Sequence, residues 1–105
     1  MSTIVVGYDG TEGARAALDE ALQLGEELGA SVHLVFAYEA PRIGGELRDL
    51  DEAIAERGAS VLEYGRHQAE AAGKQVTTEF IKADHAEGLI SAADAVDARM
   101  IVVGS

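Results

Sequence analysis

The chain alternates short apolar runs with longer amphipathic segments, which predicts an open α/β domain with a parallel sheet and helices on both faces. Three observations carry this prediction. The apolar runs are uninterrupted and mostly β-branched, as suits strands covered on both sides. The segments between them change to helical spacing and are long enough to serve as crossovers. The junctions carry capping and turn residues where a strand-to-helix or helix-to-strand change is needed.

Thr3 to Tyr8 is the first such run, and it ends at the turn signal Asp9-Gly10. From Thr11 the period changes. Ala14, Ala17, Leu18, Ala21, Leu22 and Leu28 recur at helical spacing, with Arg15, Asp19, Glu20, Gln23 and Glu27 between them. Thr11 suits the N-cap and Gly29 the stop. Ser31 to Tyr38 is the second strand, and Ala40 to Gly45 is a loop with Pro41 and the Gly44-Gly45 pair. The second helix runs from about Glu46 to Ala72 on a stripe of Leu47, Leu50, Ile54, Gly58, Val61, Gly65, Ala69 and Ala72. Each glycine on that stripe lowers helix propensity by about 1 kcal/mol relative to alanine. Close backbone approach, or a bend near Gly58, would explain them.

Gly73-Lys74 ends the second helix, and Val76 to Ile81 is the third strand. Asp84 and Glu87 have capping-box spacing at the head of a third helix, with Leu89, Ile90 and Ala93 as its buried stripe and Val96 nearby. Met100 to Val103 is the fourth strand. Right-handed crossovers then follow from parallel pairing. The fourth strand is almost wholly apolar, which suits a covered central position and not an edge. A further helix and strand of about 35 to 40 residues, or another chain, is therefore expected to cover it.

A length of 105 residues suits one domain, residues 1–105. No apolar run reaches the roughly 18 residues of a membrane span, and the N-terminus does not read as a secretory signal. The absence of cysteine excludes disulfides and thiolate chemistry. A net charge of −11 argues against nucleic acid and anionic membrane as partners. It also means that a polyphosphate would need local backbone N–H groups and a divalent cation. The expected location is cytoplasmic.

In a doubly wound sheet the ligand crevice lies beyond the carboxyl ends of the strands. That selects Gly7 to Gly10, Ala37 to Glu39, Ala83 to His85, and Gly104-Ser105. Asp9 can accept hydrogen bonds from a ligand's hydroxyl or amino groups, or can simply cap the turn. Gly104-Ser105 after a strand is the kind of turn that holds phosphate. His33, His67 and His85 lack the spacing of a joint metal site. His33 reads as a satisfied strand residue and His67 as part of a solvated helix face. No Ser/His/Asp arrangement supports nucleophilic catalysis.

Taken together, these residues resemble the universal stress protein family. The matching segments are IVVGYDGTEGARAALDEALQLGEELGASVHLVFAYE and ADHAEGLISAADAVDARMIVVGS, in the family's order and separation. The resemblance implies a Rossmann-like fold of the adenine nucleotide alpha-hydrolase type, with strand order 3-2-1-4 and the fifth strand lying beyond the sequence. It also implies a homodimer formed through the last strand, and ATP binding in many members. Asp9 matches the family's aspartate that contacts adenosine, and Ala37 matches the backbone position that reads adenine. Gly104 and Ser105 match only the start of the family's Gly-x2-Gly-x9-Gly-Ser/Thr phosphate loop. The expected cofactor-binding set is Gly7, Tyr8, Asp9, Gly10, Ala37, Gly104 and Ser105, with ATP and Mg²⁺ or Mn²⁺ as ligands and no catalytic role beyond slow ATP hydrolysis. Tyr8 would either stack near adenine or fill the core.

The leading expectation is a stress-response or signalling protein that binds an adenine nucleotide. The alternative is a nucleotide-free dimerisation or interaction module of the same fold. A phospho-receiver domain fits poorly, because only Asp9 follows the first strand and Asp84 opens a helix cap.

Overall fold

The computed structural model describes residues 2–39 and 47–104, with backbone alone for 47–51. The elements are β1 (Thr3–Gly7), α1 (Glu12–Leu28), β2 (Ser31–Ala37), α2 (Leu47–Ala71), β3 (Val76–Ile81), α3 (His85–Ala95) and β4 (Met100–Val103). The expected loop Ala40 to Gly45, with Pro41 and Gly44-Gly45, lies outside the described residues, as do Glu46 and Ser105. The placement of Leu47 and Leu50 on the inner stripe of α2 likewise concerns side chains outside the description.

All strand pairs are parallel and the sheet order is β3-β2-β1-β4. The order matches the expectation, with β1 in the interior between β2 and β4. Gly7 is in register with Val35 on one side and Val103 on the other, so β1 and β4 finish at one rim.

Strand alternation divides the side chains between two faces. On one face Ile4, Val6, Tyr8, Leu34 and Phe36 pack with Ala17, Leu18 and Ala21 of α1 and Val61 and Leu62 of α2. On the other, Val5 and Val35 meet Leu89, Ala92 and Ala93 of α3. The glycines of α2 have their expected close-approach role. A Cβ at Gly58 would lie 2.7 Å from the Phe80 ring, and one at Gly65 would lie 2.7 Å from Leu34 Cδ1 and 2.9 Å from Tyr8 Cε2. The helix runs unbroken through both.

The junctions follow local chemistry. Thr11 caps α1 by accepting from the Ala14 N–H, and Gly29 ends it in the left-handed conformation at φ 65°. Asp84 caps α3 by accepting from the Glu87 N–H at 3.4 Å.

Two expectations about burial are corrected. Leu28 and Ile90 are exposed, and Ala92 replaces Ile90 in the buried stripe of α3. Leu28 lies in the last turn of α1, where the helix leaves the sheet. Strand β4 pairs with β1 among the described residues, and its other side is the one expected to be covered by a following strand or another chain. Its Met100 and Val102 pack against the α1 side, while Ile101 is 40% and Val103 53% exposed. Its apolar composition thus reflects burial that one face receives and the other does not.

Candidate functional site

The rim where β1, β2 and β4 end is shaped by three tight contacts. Gly7 is buried with Leu89 and Val103 against it, and a Cβ there would lie 2.9 Å from Leu89 Cδ1. Gly88, in the first turns of α3, is so close to β2 that a Cβ would meet Ala37 Cβ at 2.5 Å. Gly104 packs on the backbone of Gly13 and Ala14, leaving no room for a side chain between β4 and the start of α1. These contacts draw the helix starts onto the strand ends.

Asp9 and Gly10 form the turn from β1 into α1. The Asp9 Oδ1 accepts from the Thr11 N–H at 3.0 Å and from Thr11 Oγ1 at 2.6 Å. Thr11 in turn caps the helix, so a chain of local hydrogen bonds fixes the carboxylate. Asp9 therefore has the capping role that was one of its two expected functions. Both bonds from Thr11 fall on Oδ1. Partial burial pushes the Asp9 carboxyl upward. The side-chain and backbone hydrogen bonds from Thr11, with the nearby His85 charge, outweigh it and hold the group below its ordinary value.

A cleft of about 310 Å³ opens beside this turn. One wall is Asp9, Gly10 and Thr11, and the other is Arg57, Ser60, Val61 and Tyr64 of α2. Arg15 of α1 sits over the Tyr64 ring at 5.4 Å, a cation–π contact at the cleft's edge. An adjoining hollow of about 230 Å³ is lined by Phe36, Tyr38, Ala53, Ile54 and Arg57. Arg57 thus belongs to both.

The structure sorts the expected site residues into separate groups. Asp9 and Gly10 share the α2 cleft, whereas Gly104 lines a groove against α1 with Gly13, Ala17, Glu20 and Val102. Tyr8 resolves to the core reading. Its ring is fully buried, its hydroxyl donates to Gln68 Oε1 at 3.1 Å, and its N–H is held by the Val35 carbonyl. Burial pushes the Tyr8 phenol upward, so it stays protonated at neutral pH. Its ring is unavailable for stacking on a ligand; Tyr38, 41% exposed beside Phe36, is the tyrosine at the rim. Ala37 is buried at the end of β2. Because the Val35 carbonyl bonds toward β1 and the Tyr38 N–H bonds toward β3, alternation turns the Ala37 peptide toward β1, just past its last paired residue.

Sequence reasoning missed Arg57, Ser60 and Tyr64. With Val61 they recur at i, i+3, i+4 and i+7, one face of α2 beside the glycine stripe, and that spacing was the signal available.

The other histidines have plain roles. His33 is held by Thr77 Oγ1 at 2.6 Å and Glu79 Oε1 at 2.9 Å, and His67 pairs with Glu63 on an exposed helix face. Among the described residues no cluster of three or more His, Asp or Glu side chains could hold a metal ion. No helix among them is long and apolar enough to cross a membrane.

A family model described as the universal stress protein family matches residues 1–105. The chain belongs to the universal stress protein family. No curated protein matches it in sequence. Among solved structures, a universal stress protein family member from Burkholderia pseudomallei is 30% identical with a TM-score of 0.85, covering 99% of this chain and 81% of that one. A universal stress protein in complex with cAMP is 25% identical with a TM-score of 0.78, covering 97% and 75% respectively. The Arabidopsis thaliana family protein At3g01520 with AMP bound has 14% identity and a TM-score of 0.76, covering 100% and 77%, and supports the fold alone. The four-stranded order and the helices on both faces are thus those of a universal stress protein.

Proposed function

We propose that this universal stress protein binds an adenine nucleotide at the rim where β1, β2 and β4 end, and acts by binding and not by catalysis. The observation that carries the reading is Asp9. A carboxylate is fixed at the end of a buried strand by Thr11, and it lines a cleft of nucleoside dimensions. The cAMP complex of a relative supports the same ligand class.

In this reading Asp9 Oδ2 accepts from ribose hydroxyls, the Ala37 backbone reads the adenine edge, and the Gly7–Tyr8 and Gly10 backbone forms the adjoining wall. Gly104 and Ser105 start the cradle for the outer phosphates of ATP, with Mg²⁺ or Mn²⁺ supplying the countercharge that an acidic chain lacks. The role is nucleotide-dependent stress signalling by a cytoplasmic homodimer, without nucleic acid or membrane as partner. Calorimetric titration with AMP and with ATP plus Mg²⁺ tests it: saturable binding to wild type that Asp9→Ala weakens at least tenfold is the expected result. No heat with either nucleotide overturns it.

A second reading, a nucleotide-free dimerisation module, is favoured by the exposed Ile101 and Val103 along the edge of β4. Sedimentation with and without nucleotide separates the two. A dimer that forms equally well in both conditions, from a protein that shows no nucleotide binding, supports the module.

A further inference from the structure

The helices α1 and α2 lie on one face of the sheet, and their side chains meet along a shared seam in steps of four residues. Thr11, Arg15 and Asp19 follow one another on α1 and its cap; Ser60, Tyr64 and Gln68 do so on α2. Both helices run away from the carboxyl rim, so these levels stack in order. Farthest from the rim, Gln68 Nε2 donates to Asp19 Oδ1 at 2.9 Å and to the Arg15 carbonyl at 2.8 Å. One turn nearer, the Arg15 guanidinium lies 5.4 Å from the centre of the Tyr64 ring. At the rim, Thr11 and Ser60 line opposite walls, and the space between them is the cleft beside Asp9.

The Gln68 amide has its orientation dictated by its partners. The Arg15 carbonyl and the Asp19 carboxylate only accept, so the nitrogen faces them and both of its hydrogens are used. The oxygen is thereby turned toward the Tyr8 hydroxyl, which donates to it at 3.1 Å. Tyr8 directly precedes Asp9, and its N–H is held by the Val35 carbonyl at 2.9 Å. One side chain therefore joins α1, α2 and the end of β1, the elements from which the walls of the cleft depart. Gly65, three residues earlier, lets α2 close on Leu34 and Tyr8. That packing sets the height of α2 above the sheet, whereas the Gln68 bonds set its place across the sheet, toward α1.

We propose that Gln68 is a positioning residue that holds the α2 wall at a fixed distance from the Asp9 turn, so that the cleft is formed before its ligand arrives. This rests on the adenine-nucleotide reading above. Gln68 touches no nucleotide and acts through Tyr8 and α1. Without it, α2 loses its tie to α1 beyond the Tyr64 level, and a ligand must bear the cost of ordering the wall.

The test is calorimetric titration with AMP of wild type, Gln68→Met, Tyr8→Phe and the double variant, at a temperature where thermal melts show each to be folded. Gln68→Met keeps the length of the side chain and removes its donors and acceptor. It is expected to weaken AMP about tenfold, and Tyr8→Phe, which loses one bond of the three, about threefold. The double variant should bind no more weakly than Gln68→Met, because the two substitutions remove a shared bond. Val32→Ala, which trims the same core cluster near the amino end of β2, is the control for stability alone and should bind AMP as wild type does. If Gln68→Met does not fold, the Tyr8→Phe result against that control decides the matter. AMP affinity unchanged in folded Gln68→Met and Tyr8→Phe, or lowered as much by Val32→Ala, overturns the positioning role and leaves the adenine site intact. A wild type that does not bind AMP overturns both the role and the reading beneath it.

Discussion

Among the described residues, the two faces of the sheet are packed to different extents. Under α1 and α2 the core is continuous: Tyr8 is sealed between sheet and helices, glycines bring α2 into contact, and Gln68 ties the layers together. The amide of Gln68 accepts from Tyr8 and donates to the Arg15 carbonyl and Asp19 Oδ1, at 2.8 and 2.9 Å for the two donations. Under α3 the cluster is small, and Ile90, Ile101 and Val103 stay exposed on or beside that face. Both walls of the Asp9 cleft belong to the well-packed face. The cleft proposed for the nucleotide is thus backed by the more continuous core, a condition for binding without a large ordering cost.

The largest expected effect separates the faces directly. Tyr8→Ala should cost about 3–5 kcal/mol, as large aromatic truncations in sealed cores do. Leu89→Ala, in the smaller cluster, should fall near the lower end of the leucine range, about 2 kcal/mol. Urea denaturation measures both, and equal losses would break the comparison.

A smaller effect sharpens the packing argument. Gly65→Ala places a methyl group against Leu34 and Tyr8, which should destabilise by roughly 1–3 kcal/mol although alanine favours helix. A gain in melting temperature would show that α2 is less tightly seated than its contacts indicate.

The smallest effect concerns acid. Asp9 has its folded-state pKa depressed, so its contribution to stability is fully present above the unfolded carboxylate value, about 4. It is lost as pH falls through the lower folded value. Asp9→Asn should therefore differ from wild type at neutral pH and converge on it as pH falls through the lowered folded value, by a modest amount because the carboxylate is solvent-exposed. Urea midpoints across that range provide the measurement, and a gap that widens on acidification would contradict the hydrogen-bond origin of the shift.

The sequence revealed what local chemistry decides. Thr11, Gly29 and Asp84 mark helix ends because capping depends on a few neighbouring residues. Asp9 could be placed at the rim because it directly follows a buried strand. The placement of Ile90 failed because a short helix with several apolar residues permits more than one inward face. The far wall of the cleft was hidden for a related reason. Whether Arg57 and Tyr64 face a ligand depends on how α2 crosses the rim, and only long-range packing at Gly58 and Gly65 fixes that.

Mapping backbone amide chemical shifts during titration with AMP addresses the nucleotide site most directly. The largest changes are expected at Gly10, Thr11, Ala37 and Tyr38, with smaller ones at Arg57. Changes confined to the opposite end of the sheet, around Gln75 and Val76, or no changes at saturating AMP, would contradict a binding site at the carboxyl ends of the strands.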